Sequence, residues 1–106
     1  MDCLDSVYQN LSNLNLADSM SDYSNRWLGM ERSYYRNKLC KSRSASAKVY
    51  GRLARRLMQE AAERRLKGEI KQANNFSNLA SACITAVIYA NDDNKTTYMS
   101  KDHALQ

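Results

Sequence analysis

The sequence predicts an all-α protein of about five helices, closed by a long apolar helix near its C-terminal end. Three observations lead there. The 106 residues contain no proline and three glycines, so the residues that tight β-hairpins demand are nearly missing. Apolar residues recur at three- and four-residue intervals through most of the chain, the spacing of a helix face. Clusters of Ser, Asn and Asp, together with Gly29 and Gly68, separate those stretches where caps and turns belong. A chain of this length makes one small domain, and such domains often gain stability by oligomerising. The expected organisation is a single helical domain over residues 1–90 and a flexible polar tail over 91–106.

The first helix is expected over residues 3–14, where Cys3, Leu4, Val7, Tyr8, Leu11 and Leu14 share a face and Asp2 lies at the positive end. Asn13, Asn15 and the segment 18–21 then supply a turn, with Ser19 or Ser21 as N-cap of a second helix reaching about Leu28. Gly29 suits the left-handed conformation that ends a helix. A third helix, about Glu31 to Leu39, would bury Met30, Tyr35 and Leu39 and leave Arg32, Ser33, Arg36 and Asn37 in solvent.

After a Ser-rich basic connection, Ser44 or Ser46 can cap a long helix over about 46–67, with Val49, Leu53, Leu57 and Ala61 on one side. Lys48, Arg52, Arg55 and Arg56 form a neighbouring stripe. Gly68 is expected to make a turn into a last helix over about 69–90. That helix carries Ile70, Ala73, Phe76, Leu79, Ala80, Cys83, Ile84, Val87 and Ile88, which is too much apolar surface for a single stripe. The helix is either central to the monomer or also buried in a dimer, and Ile70, Phe76, Leu79, Cys83, Ile84 and Val87 are the expected interface of a homodimer.

Charge is segregated along the chain. Residues 1–25 hold four Asp and no Lys or Arg, whereas residues 26–71 hold fourteen Lys or Arg against four Glu, a local balance of +10. Such a field attracts a polyanion, and neutralising phosphates releases the counterions condensed on nucleic acid. Double-stranded DNA is the expected partner. A membrane surface fits less well, because no broad Trp/Phe/Leu face opposes the basic stretch. The longest apolar stretch falls far short of a bilayer span, and the acidic start lacks the order of a signal peptide, so a cytoplasmic, nucleoid-associated protein is expected.

Three widely spaced cysteines, Cys3, Cys40 and Cys83, suit a reducing compartment and make no zinc pattern, and the single histidine, His103, stands in the polar tail. No metal or cofactor is expected, and the sequence identifies no small-molecule ligand. Without a Ser/His/Asp set, a phosphate-binding glycine loop or paired carboxylates, no enzyme activity and no catalytic residue are expected either.

In Leu28-Gly29-Met30-Glu31-Arg32-Ser33-Tyr34-Tyr35-Arg36-Asn37-Lys38-Leu39, apolar residues fall one before, one after, six after and ten after the glycine. That spacing resembles phage-repressor-like helix-turn-helix domains. The resemblance implies a helix-turn-helix over about 21–39, with base-reading positions three, four and eight after the glycine, here Arg32, Ser33 and Asn37, and Arg36 beside them. Arginine can bond guanine bidentately and asparagine adenine, while serine adapts to several partners. Tyr34, Lys38, Lys41, Arg43, Lys48, Arg52, Arg55 and Arg56 are the expected phosphate contacts.

The pattern Ser24-x-x-Trp27-Leu28-Gly29, then Ser33-Tyr34-Tyr35 and Leu53-Ala54-x-Arg56-Leu57, is also similar to a family of small, poorly characterised bacterial helix-turn-helix proteins. Asn25 departs from the small residue usual in repressors four before the glycine. The expected function is a sequence-specific, dimeric, DNA-binding transcriptional regulator. Two other readings stand beside it: a protein-interaction adaptor or anti-activator with a helix-turn-helix shape, and an oligomeric small-terminase-like DNA-packaging or nucleoid protein. Trp27 itself is expected in the core.

Overall fold

The computed structural model describes residues 3–41 and 45–102, with side chains described for 3–41 and 45–88. Five helices make up those residues: α1 (Cys3–Asn13), α2 (Met20–Asp22, continuing without a break as π-helical Tyr23–Trp27), α3 (Tyr34–Lys41), α4 (Ala47–Leu66) and α5 (Ile70–Asp102). The all-α reading is correct. None of the described helices is long and apolar enough to cross a membrane.

Helix α1 buries Leu4, Val7 and Leu11 on one face and ends in a left-handed residue, Asn15, at φ 61°. Around it the Leu16 N–H donates to the Leu11 carbonyl (2.8 Å) and the Asn15 N–H to the Ser12 carbonyl (3.0 Å), the paired bonds of a Schellman ending. Helix α2 is capped by Ser19, whose hydroxyl accepts from the Asp22 N–H at 3.0 Å. Asp22 in turn accepts from the Asp18 N–H at 3.0 Å, so the two side chains satisfy donors at each other's end of the first turn.

Helices α4 and α5 form an antiparallel hairpin against which the first three helices pack. Ser46 caps α4 and the helix ends at Leu66, within one residue of the expected bounds. Gly68, at φ 82°, makes the turn expected of it. The Glu69 N–H donates to the Arg64 carbonyl (2.8 Å) and the Gly68 N–H to the Arg65 carbonyl (3.1 Å), a second Schellman ending that aims α5 back along α4. Ala73, Phe76, Ala80 and Cys83 of α5 are buried together with Val49, Leu53, Leu57 and Ala61 of α4. Truncating Phe76, which is wholly buried, would cost about 3–5 kcal/mol through lost transfer energy and the cavity left behind.

Two expected boundaries move. The third helix starts at Tyr34 rather than Glu31, for reasons that belong to the site described below. The last helix runs past residue 90 to Asp102, so the expected tail begins inside it; no glycine or proline interrupts residues 70–102. His103 to Gln106 lie outside the described residues.

Candidate nucleic-acid interface

The junction between α2 and α3 is built on Ser24, which is fully buried. Its hydroxyl donates to the Met20 carbonyl at 2.8 Å and accepts from the Tyr35 N–H at 3.0 Å. A helix leaves its first N–H groups without intrahelical partners, and here one of them is satisfied from the neighbouring helix. The backbone of the same residue also serves, since its carbonyl accepts from the Met30 N–H at 2.9 Å.

Between those anchors the chain must reverse, and Gly29 does so at φ 68°, a conformation that costs an L side chain about 1–2 kcal/mol. A Cβ there would stand 3.4 Å from Cδ of Arg52. The guanidinium of Arg52 donates to the Gly29 carbonyl at 3.1 Å, which ties the turn to α4.

Trp27 is 2 % exposed and its Nε1 donates to the Leu16 carbonyl at 3.2 Å. The Arg56 guanidinium lies 4.4 Å from the ring centroid. The Ser24, Trp27 and Gly29 of the sequence pattern are thus the frame of the α2–α3 junction, and Trp27 sits in the core as expected.

These bonds explain why α3 begins late. With Ser24 holding the Tyr35 N–H, residues 28–33 are spent on the reversal and Ser33 becomes the residue whose carbonyl accepts the first helical bond, from Asn37 at 3.0 Å. Arg32 and Ser33 stand in the connection ahead of the helix, and only Arg36 and Asn37 are on it. The connection has six residues, 28–33, where a helix-turn-helix uses three or four. The inward face differs from the expected one. Tyr35 and Lys38 are buried, Met30 is half-buried and Leu39 is 38 % exposed.

All four expected base-reading residues, Arg32, Ser33, Arg36 and Asn37, are exposed. Ser33 donates to the Glu31 carboxylate at 3.0 Å and Asn37 to the Ser33 hydroxyl at 3.5 Å, a short polar chain open to solvent. Beside it runs a cleft of about 370 Å³ lined by Met30, Tyr34, Asn37, Lys38, Lys41 and Ser46, among others. It brings the C-terminal half of α3 next to the start of α4.

The expected phosphate contacts divide. Lys41, Lys48, Arg52 and Arg55 are exposed and Tyr34 is half-buried. Lys38 is 8 % exposed and belongs to the packing of α3, one turn from buried Tyr35 on the inward face. Arg56 is held between Trp27 and the Glu60 carboxylate, 3.1 Å away, so it braces the fold. Arg43 lies outside the described residues.

The remaining cations divide less cleanly: Arg65 bonds the Ser77 hydroxyl at 3.4 Å, and Lys67 and Lys71 make no ion pair among the described residues. Arg26 pairs with Asp22 at 3.1 Å. Arg64 bonds Glu60, Glu69 and Gln72, and its carboxylate partners, Glu69 first, hold its guanidinium even more firmly protonated than usual. Among the described residues, Arg32, Arg36, Lys41, Lys48, Arg52 and Arg55 make no ion pair.

The expected dimer residues also separate. Phe76 and Cys83 are wholly buried inside the protomer, and Leu79 is half-buried against its core. All three are taken up within the protomer, Cys83 against Cys3 of α1, a use that the wide apolar surface of α5 concealed. Ile70, 50 % exposed, stands at the hairpin turn. Ile84 and Val87 remain on an outer groove of about 640 Å³ that they share with Gly51, Met58 and Ala62. A Cβ at Gly51 would meet nothing within 4 Å.

Sequence reasoning missed three features: the Ser24 bridge, the buried pairing of Arg56, and a cluster of Tyr8, Tyr23 and Tyr35 with ring centroids 5.0–5.3 Å apart. Tyr23 donates to the Leu4 carbonyl at 2.7 Å and Tyr35 to the Asp5 carboxylate. Burial, reinforced by neighbouring Tyr35 and Cys83, pushes the Tyr23 hydroxyl well above the ordinary tyrosine range. Helical spacing groups Tyr8 with Leu4 and Leu11, but no local signal brings three distant tyrosines together.

The arrangement is a helical head with an exposed basic face on an antiparallel helical hairpin. The chain belongs to DUF6626, a family of unknown function, whose model matches residues 4–97. Neither a curated protein nor a solved structure matches it.

Proposed function

We propose that the protein is a sequence-specific, double-stranded-DNA-binding regulator. The observation that carries this reading is the sorting of the cations. Arg26, Arg56 and Arg64 are matched to carboxylates, whereas Arg32, Arg36, Lys41, Lys48, Arg52 and Arg55 have no acidic partner among the described residues and cluster around α3 and the first half of α4; Arg65, Lys67 and Lys71, also without an ion pair, lie at the far end of α4 and the start of α5. An isolated charge run is often just a solvated face. A face that gathers six cations with no acidic partner of their own is better suited to an external polyanion.

In this reading α2 and α3 act as a helix-turn-helix with a lengthened connection, the phage-repressor-like pattern in modified form. Arg32, Arg36 and Asn37, with Ser33 between them, face the bases, and Lys41, Lys48, Arg52 and Arg55 face the phosphates. Two protomers joined along the α4–α5 groove, through Met58, Ile84 and Val87, would present two such faces to half-sites about 34 Å apart. The reading implies no enzyme activity and a cytoplasmic, nucleoid-associated location.

Selection of bound sequences from random duplex DNA at near-physiological salt tests it. The expected result is an enriched two-fold symmetric site. An unenriched pool would overturn sequence-specific regulation and favour a protein partner at the apolar groove.

A further inference from the structure

Cys3 and Cys83 are 80 positions apart, yet their sulfurs are 3.3 Å from each other. Cys3 is the first residue of α1 and is half-buried; Cys83 lies in α5 and is fully buried. The approach is set by the register of the two helices. Asn10 and Asn75 exchange side-chain bonds of 3.3 and 3.1 Å, seven positions further along α1 and eight back along α5. The two contacts are therefore about two helical turns apart on each helix, and α1 is pinned to α5 at both ends of an antiparallel crossing.

We propose that Cys3 and Cys83 are a modification site for low-molecular-weight disulfides, which convert the pair to an intramolecular disulfide. Solvent reaches Cys3 and not Cys83, so Cys3 reacts first. Its sulfur, having lost its proton, attacks one sulfur of the small disulfide; a Cys3–S–S–R bond forms and one thiolate leaves. The Cys83 sulfur then attacks the Cys3 sulfur, the mixed bond breaks and a second thiolate leaves. The two cysteines are oxidised by two electrons, the small disulfide is reduced to two thiols, and the two cysteine protons end on those thiols. The sulfurs close from 3.3 Å to the ~2.05 Å of an S–S bond, a move within the reach of side-chain rotation.

The bond would tie α1 to α5 and restrict the unfolded chain through a long loop. Through Tyr8 and Asp5 of α1, which contact Tyr23 and Tyr35, it would also hold the packing beneath α3. Cys40 is exposed on α3 and takes no part in the pair.

The test uses the full chain and a Cys40→Ser variant, each incubated with glutathione disulfide, alkylated and weighed. The expected Cys40→Ser product has lost two hydrogen atoms and carries no glutathione, the parent carries glutathione on Cys40 at most, and in both trypsin leaves peptide 1–26 joined to peptide 72–95. The melting midpoint rises by roughly 10 °C, lost again on reduction. A glutathione adduct on Cys3 that Cys83 never displaces would overturn the proposal, as would both thiols remaining open to alkylation. In a Cys3→Ser variant, whose changed atom is half-exposed, Cys83 is expected to stay unreactive while the protein is folded; glutathione on Cys83 there would equally overturn it.

Discussion

The head, α1–α3, and the hairpin, α4–α5, share one core but differ in how far hydrogen bonds enter it. Inside the head, buried polar atoms meet one by one: Tyr23 with the Leu4 carbonyl, Ser24 with Met20 and Tyr35, Trp27 with the Leu16 carbonyl. Along the hairpin seam Leu53, Leu57 and Ala61 are buried with Ala73, Phe76 and Ala80, and these side chains carry no polar group. Apolar burial is strong and non-directional, whereas a hydrogen bond contributes little net energy but fixes geometry and is costly to leave unmade. Apolar burial stabilises both parts, through Leu4, Val7, Leu11 and Leu28 in the head as through Leu53, Leu57 and Phe76 in the hairpin, and the buried bonds of the head add one defined path for the backbone that carries Arg32 to Asn37.

Substitutions that separate strength from geometry test that contrast. The largest effect belongs to Phe76→Ala, which should lower stability by about 3–5 kcal/mol in denaturant titrations and loosen both parts together. Ser24→Ala should cost about 1–3 kcal/mol, since it strands the Tyr35 N–H. Its signature is local: amide exchange should accelerate at Tyr35 and along α3 more than along α4. Uniform acceleration would mean that the Ser24 bridge does not set the head apart.

Tyr23→Phe should cost about 1 kcal/mol at neutral pH through loss of the bond to Leu4. It also has a pH signature. The hydroxyl is held protonated in the folded state, so its contribution is complete below the unfolded value of about 10 and falls as pH rises above it. The variant should therefore lose stability less steeply than the parent above about pH 10, measured by thermal melting across pH 8–12.

Surface changes should move stability by no more than about 0.5 kcal/mol and act on partners. Met58→Asp is expected to leave the helical signal intact and to shift the protein from dimer to monomer in sedimentation. Arg36→Ala should weaken the selected site by about 1–3 kcal/mol and relax one position of it. Lys41→Ala should weaken all duplexes alike and reduce the salt slope by about 1.

Most of the architecture was legible because it depends on local signals. Apolar spacing marked α1, α4 and α5, and Ser19, Ser46, Gly29 and Gly68 punctuate the chain where the sequence suggests. What could not be read depends on partners distant in sequence. The start of α3 is set by Ser24 reaching Tyr35, and Lys38 is buried one turn from Tyr35. Phe76 and Cys83 read as part of a broad sticky surface because nothing along α5 says which part of its face is buried within the protomer. Arg56 looked like one more phosphate contact, since its place over Trp27 exists only after folding.

Amide chemical-shift mapping of the isotopically labelled protein with duplex DNA at low salt bears most directly on the proposed role of the head. Shifts are expected in residues 32–41 and 46–56, fading as salt is raised, with α1 and the Ile84–Val87 groove unmoved. No DNA-dependent shift in α3, or shifts confined to the groove, would contradict a DNA-binding face built on the α2–α3 junction.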